Sequence, residues 1–225
     1  MEKKVTKKVI IFGSEQTAQL AEYYLSNDSE YEVDSFTIHS PKVPHTKFSD
    51  KPLLPFEDII SLRPPEKYLM FAPMMASAVN RNRLSIFNTG LGLGYNFISY
   101  ISSRATVLTE DIGSNCFILE NNTIQPYSKI GDNCMIWSGN HIGHHATIEH
   151  SCFISSQCVI SGNVEIKQRS YLGVNSSIVD GCTLEEGVML AMGAVLTTKT
   201  TTTGGFYSGN PAKLHPKLTS DRLLK

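Results

Sequence analysis

The sequence predicts a small α/β domain followed by a parallel β-helix built from hexapeptide coils. Three observations predict it. From Ile112 to Leu196 an aliphatic residue returns every six positions, fifteen times without a gap. The residue two before each of them is mostly small or modest, and all five cysteines fall there. Ahead of the repeat, short apolar runs alternate with helical stretches, which implies a parallel sheet. The expected division is an α/β domain over 1–100, a β-helix over 101–200 and a C-terminal loop or tail over 201–225.

The chain opens on a basic tip, residues 1–8. The apolar run behind it, 9–12, is too short for a signal-peptide core or a membrane span, so a cytoplasmic protein with no membrane insertion is expected. A strand ending at Phe12, a turn at Gly13 and a helix over 17–25 come next. Further strands are expected over 31–38 and 68–72, helical segments near 56–62 and 79–87, and a proline-rich loop over 41–55. Gly13-Ser-Glu-Gln-Thr17 lacks the second and third glycines of a dinucleotide fingerprint. A helix N-terminus there still offers free N–H groups to a phosphate. Gly90-Leu-Gly-Leu-Gly94 follows a helix, not a strand, and reads as a linker or turn.

Neither a helical period of 3.6 nor a strand period of 2 produces a six-residue return. In a strand, residues i and i−2 face the same side. Each hexad is therefore a short strand with two inward residues and a turn behind the aliphatic one. Three hexads close a triangular coil, and coils stack about 4.8 Å apart. Cys116, Cys134 and Cys152 then form one inward column, and Asn122 and Asn140 begin another. Gly113, Gly131, Gly143 and Gly173 directly follow their aliphatic residue, where a sharp corner favours glycine. The cysteines read as small buried filler. Their odd number, without a secretory signal, argues against a disulfide framework. A net charge of -1 gives no broad basic field for nucleic acid or an anionic membrane.

Four of the seven histidines crowd into Trp137-Ser-Gly-Asn-His141-Ile-Gly-His144-His145-Ala-Thr-Ile-Glu-His150. Ile142 points inward, so His144 and His145 lie at an exposed corner. Acyl transfer from a thioester needs one proton removed from the nucleophile, and an imidazole, with its ordinary pKa of about 6.5, suits that task. It also needs donors for the developing oxyanion, which backbone N–H groups supply. Gly162 lies one coil after His144 and has no side chain to block a thioester. Trp137, Asn140 and His141 stand beside the cluster as candidates for contact with a sugar or base, with packing between subunits the other reading of Trp137.

On these residues, the repeat and the ending Tyr207-Ser-Gly-Asn-Pro-Ala-Lys213, the chain resembles the left-handed β-helix bacterial sugar acyltransferases. That family is typified by the bacillosamine-pathway N-acetyltransferase and the sialic acid O-acetyltransferases. The resemblance implies a left-handed coil and a homotrimer with active sites between subunits. It also implies acetyl-CoA or another acyl-CoA as co-substrate, with no metal, and a nucleotide-linked amino sugar as acceptor. His144 takes the place of the family's general base. His145 stands where a glutamate commonly supports it, leaving Glu149 or a residue of another subunit as further candidates for that support. The Gly162 N–H takes the acyl carbonyl, and Val174, Met192, Gly193 and Lys213 fall on the CoA contacts. Phe153 replaces a family histidine near the CoA. Gly13, Ser14, Glu15 and Thr17 correspond to the family's nucleotide-sugar turn, and His39 and Ser40 to its paired aspartates.

The reading adopted is an N-acyltransferase on a nucleotide-linked amino-deoxy sugar. The alternatives are a sugar O-acetyltransferase, a zinc trimer of the carbonic-anhydrase type using His145 and His150, and a non-catalytic solenoid.

Overall fold

The computed structural model describes residues 7–40 and 46–224. The basic tip up to residue 6 and residues 41–45 of the proline-rich stretch lie outside them. Strands β1 (Lys7–Phe12), β2 (Tyr31–Ile38), β3 (Lys47–Phe48), β4 (Lys51–Pro55) and β5 (Tyr68–Phe71) form one sheet in the order β3-β4-β2-β1-β5. All pairings are parallel except the short β3/β4 hairpin. Helices α1 (Gln16–Asp28), α2 (Ile59–Leu62) and α3 (Arg81–Gly92) cover the sheet. Three expectations change here. The described part of the stretch 41–55 is not a loop but carries the β3/β4 hairpin, and β4 adds a strand to the sheet beside β2. Helix α3 starts at Arg81 because Ala78, Val79 and Asn80 form a left-handed turn, with φ of 49°, 51° and 62°. It also runs on through Gly90, which is no linker. A Cβ there would lie 2.5 Å from the Phe97 ring, so glycine lets Phe97 and Met70 pack against the helix.

The second unit is a three-sided prism. Its strands, from β6 (Tyr100–Ile101) to β21 (Val195–Leu196), are two residues long and pair with the strand one coil away, eighteen residues on from β8 onward and seventeen for β6 and β7. Met135 pairs with Phe153, His141 with Val159 and Thr147 with Glu165, one pair on each face. The aliphatic series and its i−2 partners fill the inside as one continuous cluster. All five cysteines are buried and unpaired, and burial pushes the Cys182 thiol up to about 11. Inside the coil, Asn122 Oδ1 accepts the Asn140 N–H at 2.9 Å, and Asn140 Oδ1 accepts the Cys158 N–H at 2.7 Å.

The corners differ from the sequence expectation in one respect. The left-handed residue is the third after each aliphatic, as at Asn115, Asn121, Tyr127, Asn133, Gly139 and His145. Gly143 and its equivalents at 113, 131 and 173 are needed for a different reason: closeness to the next coil. A Cβ on Gly143 would sit 2.6 Å from the Gly162 nitrogen, and one on Gly173 would sit 2.4 Å from the Met192 nitrogen. The final segment is not a tail. β22 (Gly205–Gly209) and β23 (Ala212–Thr219) form a hairpin that extends one face of the prism, and α4 (Ser220–Leu223) closes it.

The α/β domain sits on the first face of the prism. The outward residues of that face are Phe117, Met135, Phe153 and Tyr171, and the first three are at most 2% exposed. They share one core with Val9, Ile11, Ala21, Leu25 and Phe71. Burying each such side chain contributes about 1.5–3 kcal/mol. Polar ties flank this core. Asp28, the last residue of α1, accepts hydrogen bonds from Tyr100 Oη at 2.7 Å and Ser103 N at 2.9 Å. These bonds, Ser103's first, lower its carboxyl pKa to about 2.

The folded value lies below the ordinary one, so the stabilisation is complete above about pH 4 and fades as pH falls through about 2. Asp28→Asn should lower stability by about 1 kcal/mol at neutral pH and flatten the loss between pH 4 and 2. Urea unfolding at pH 7, 4 and 2.5 checks this. Equal pH slopes in the two proteins would show that Asp28 carries none of it.

Candidate functional site

Two regions carry the sequence candidates. The first is a cleft of about 690 Å³ at the carboxyl ends of β1, β2 and β5. Gly13, Ser14, Glu15, Thr17 and His39 line it, with Met74, Ser77, Asn82 and Ser85 opposite. The N-cap of α1 is Glu15, whose side chain makes no capping bond, so the first N–H groups of the helix are left without a side-chain cap. His39 is wedged against Phe12 and Phe56, with ring centroids at 5.8 and 5.6 Å. Its Nδ1 lies 2.7 Å from Glu57 Oε1, while Ser40 N and Oγ both donate to Glu57 Oε2. These bonds, Ser40's first, hold the Glu57 carboxyl down at about 2. Glu57 was not singled out in the sequence, because only the fold brings the end of β2 beside residue 57.

The second region is the prism edge between the second face (Thr123–Ile124, His141–Ile142, Val159–Ile160) and the third (Lys129–Ile130, Thr147–Ile148, Glu165–Ile166). One column of this edge reads Pro126, His144, Gly162, Asp180 at intervals of eighteen. The His144 imidazole covers Gly162. A Cβ on that glycine would lie 2.6 Å from His144 Cε1, 2.9 Å from its Nε2 and 2.9 Å from Asp180 Oδ1. The Asn163 N–H donates to the His144 carbonyl at 3.0 Å, and the His144 N–H donates to Gln125 Oε1 at 2.9 Å. Among the described residues no acceptor takes the Gly162 N–H. His145 is the left-handed corner residue, and its Nδ1 lies 3.1 Å from His144 Nδ1. Tyr127, one coil earlier at the same corner, packs on the His145 ring at 4.9 Å. Gln125, Tyr127 and Asp180 escaped sequence reading, although the eighteen-residue register points to the last two.

Other candidates lie elsewhere. Asn140 is 2% exposed, and its side chain is committed inside the coil, so it faces no ligand. Trp137 is partly buried and packs against the core between the α/β domain and the prism, 6.3 Å from Phe153. Phe153 is stacked on Tyr171 in the same core. Glu149 is held on the third face by Lys167 Nζ at 3.2 Å and by the Gln168 N–H, away from His144. His145 and His150 belong to different edges of the prism and do not converge within one chain. Among the described residues no group of three or more His, Cys, Asp or Glu is placed to hold a metal ion. His141 points outward on the second face, half-buried.

Val174, Met192 and Gly193 lie on the edge between the first and second faces, across the second face from His144. Lys213 lies on β23, paired with Ser208. Within residues 105–204 the exposed large apolar side chains are Leu108, Tyr127, Val159, Val174, Val179 and Met192. All six lie on the second face or its two edges. The third face is instead charged, with Lys167 bridging Glu149 and Glu165 and Lys129 facing Asp111.

Comparison with known proteins agrees with this architecture. The bacterial transferase hexapeptide family (six repeats) matches residues 111–144 and 127–162. The acetyltransferase domain of PglB from Neisseria gonorrhoeae superposes with a TM-score of 0.81 at 20% identity, covering 93% of this chain and 100% of that one. PerB from Caulobacter crescentus, solved with CoA and GDP-perosamine, gives 0.81 at 20% identity, covering 92% and 97%. WeeI from Acinetobacter baumannii gives 0.70 at 19% identity, covering 93% and 100%. No curated protein matches the sequence. No helix among the described residues is long and apolar enough to cross a membrane. The parallel coils fit a left-handed β-helix, and the chain resembles the hexapeptide-repeat acyltransferases, sharing the fold of these structures over nearly its whole length.

Proposed function

We propose that the chain is an acyl-CoA-dependent N-acyltransferase. Its acceptor is the amino group of a dTDP- or UDP-linked amino-deoxy sugar, made for a bacterial surface polysaccharide or related glycan. The observation that carries the reading is the His144 imidazole edge lying where a Gly162 side chain would stand, beside a glycine whose N–H has no acceptor among the described residues. A thioester carbonyl accepting that N–H puts its carbon beside Nε2. The acceptor nitrogen attacks, the C–N bond forms, and the carbonyl electron pair moves to an oxygen held by the N–H. His144 Nε2 takes the proton from nitrogen. The tetrahedral species then expels the CoA thiolate, which leaves with that proton. PerB, solved with CoA and GDP-perosamine, supports the substrate pair.

The homotrimer belongs to the same proposal. The sugar cleft sits in the domain docked on the first face, whereas His144 is on the edge opposite that face. One chain therefore does not bring its own cleft to its own imidazole; a neighbouring copy does. The second face, whose outward residues Thr123, His141, Val159, Ser177 and Val195 include no carboxylate or lysine, and whose edges expose Tyr127, Val174 and Met192, is the surface such a copy would cover. The groove at its margins offers Val174, Met192 and Gly193, with Lys213 near the end of the prism, to CoA. Both co-substrates are cytoplasmic metabolites, so the reaction is assigned to the cytoplasm.

The test is a panel of acyl-CoAs against nucleotide-linked amino sugars and their hydroxyl counterparts, following thiol release. Turnover that requires the amino group is expected. Turnover with the hydroxyl sugars alone would reassign the enzyme to O-acylation, and none with any pair would sink the acyltransferase reading.

A further inference from the structure

We infer that Asp180 selects an amine over a hydroxyl acceptor, by taking the hydrogen that only an amine still carries once His144 has been served. The inference rests on the acyl-transfer reading above and goes beyond it in naming the residue that makes the choice. Two acceptors flank the bare side of Gly162, one from each neighbouring coil. His144 Nε2 and Asp180 Oδ1 both lie 2.9 Å from the point that a Gly162 Cβ would occupy. Gly162 is buried beneath them, while both residues are exposed. A group set down over Gly162 therefore meets an imidazole on one side and a carboxylate on the other.

Little in the chain consumes that carboxylate. Among the described residues no lysine, arginine or histidine pairs with it, and its one hydrogen bond comes from Asn163 Nδ2 at a long 3.4 Å. Asp132 holds the same corner position on the edge between the third and first faces and is used differently. Its Oδ1 reaches back one coil and accepts the Ser114 N–H at 2.7 Å. Asp180 Oδ1 reaches back in the same way, toward Gly162, but no bond to the Gly162 N–H closes. A carboxylate without a cation, held beside a base and an open N–H, calls for a donor from outside the chain.

The hydrogen count of the acceptor decides which donor. A primary amine has one lone pair and two hydrogens. With the lone pair aimed at the thioester carbon, one hydrogen goes to His144 Nε2 and the other to Asp180 Oδ1. As the C–N bond forms, nitrogen becomes positive and the carbonyl oxygen negative, and the carboxylate faces the positive end. His144 takes one proton. The carbonyl re-forms, the C–S bond breaks, and the thiolate leaves with that proton. The amide keeps the second hydrogen, still donated to Asp180. A hydroxyl has a single hydrogen, which goes to the base. Its remaining lone pair then faces the carboxylate, and the intermediate is an anion with no positive partner. A site built to hydrogen-bond an N–H discriminates strongly against a group that lacks it.

The test uses full-length wild type, Asp180→Asn and Asp180→Ala. The substrate is the amino sugar that turns over in the panel above, and its hydroxyl counterpart serves as a competitive inhibitor. Asparagine keeps the shape and one acceptor oxygen but no charge, so kcat/KM for the amine should fall roughly tenfold; alanine removes the acceptor, and the loss should reach roughly a hundredfold. The Ki of the hydroxyl counterpart should fall by about threefold in both, because its lone pair no longer faces a carboxylate. KM for acyl-CoA should stay within about twofold, since Asp180 meets the acceptor only. The preference for amine over hydroxyl therefore narrows. An unmoved preference in both variants, with a wild type that acylates amino sugars, would overturn the inference and leave the acyl-transfer reading standing. A wild type that acylates only hydroxyl sugars also overturns it, and one that turns over no pair takes both readings down together.

Discussion

His144→Ala should lower kcat by roughly 10²- to 10⁴-fold, with KM for acyl-CoA changed by less than about threefold. The imidazole lies over Gly162, while the candidate CoA contacts Val174 and Met192 sit on another edge, so removing it takes away proton transfer more than binding. The size of the loss reports the acceptor. An unprotonated amine is already a good nucleophile and needs the base chiefly to collect its proton, so an amino sugar predicts the lower end of the range. A hydroxyl is a poor nucleophile until deprotonated and predicts the upper end. Steady-state kinetics on folded variant and wild type, each saturated with acyl-CoA, check this. A variant retaining kcat within about fivefold of wild type would remove the imidazole from the chemistry.

The prism was legible because its period is stated by the residues themselves. Every inward aliphatic from Ile118 to Leu196 is buried, as are the cysteines two positions ahead of them. The His144–Gly162 pairing followed from the same arithmetic, since eighteen residues make one coil. That arithmetic also held a signal that went unread. The outward residue of every third hexad is Phe117, Met135, Phe153, Tyr171 and Met189, all aromatic or methionine, whereas the other two faces present mostly Thr, Ser, Lys, Glu, His and Val. This marks the face covered by the first domain and places Phe153 in the core beneath it. The same register explains Asn140: an inward asparagine satisfies the coil and faces no ligand. The Glu57–His39–Ser40 cluster was illegible for another reason. Its members are joined by strand order alone, and no spacing in the sequence encodes that.

Arg83→Met should cost about 3–5 kcal/mol, a large share of the stability of a domain-sized unit. Arg83 is fully buried in α3, and among the described residues its hydrogen-bond partners are all backbone carbonyls. Its Nε donates to the Asn133 carbonyl at 3.0 Å, Nη2 to Ser151 and Cys152 at 2.9 and 3.2 Å, and Nη1 to Met74 at 2.9 Å. Burial lowers its pKa to about 10, so it remains charged at neutral pH. Asn133 and Ser151 are the same corner position on consecutive coils, so the guanidinium pins two rungs of the prism to the first domain. No other donor among the described residues reaches the carbonyls of Met74, Asn133 or Ser151. Methionine fills much of the volume but leaves those three acceptors bare, at about 1–3 kcal/mol each, offset in part by no longer desolvating a cation. The effect should fall on the junction between the units, because the inward stack of the coils does not involve Arg83. Trp137, the single tryptophan, sits in that junction and reports on it. In the variant its fluorescence should change at lower urea than the far-ultraviolet circular dichroism, whereas the wild-type transitions should coincide. Coincident transitions with an unshifted midpoint would show that the two units are held together by the apolar face alone.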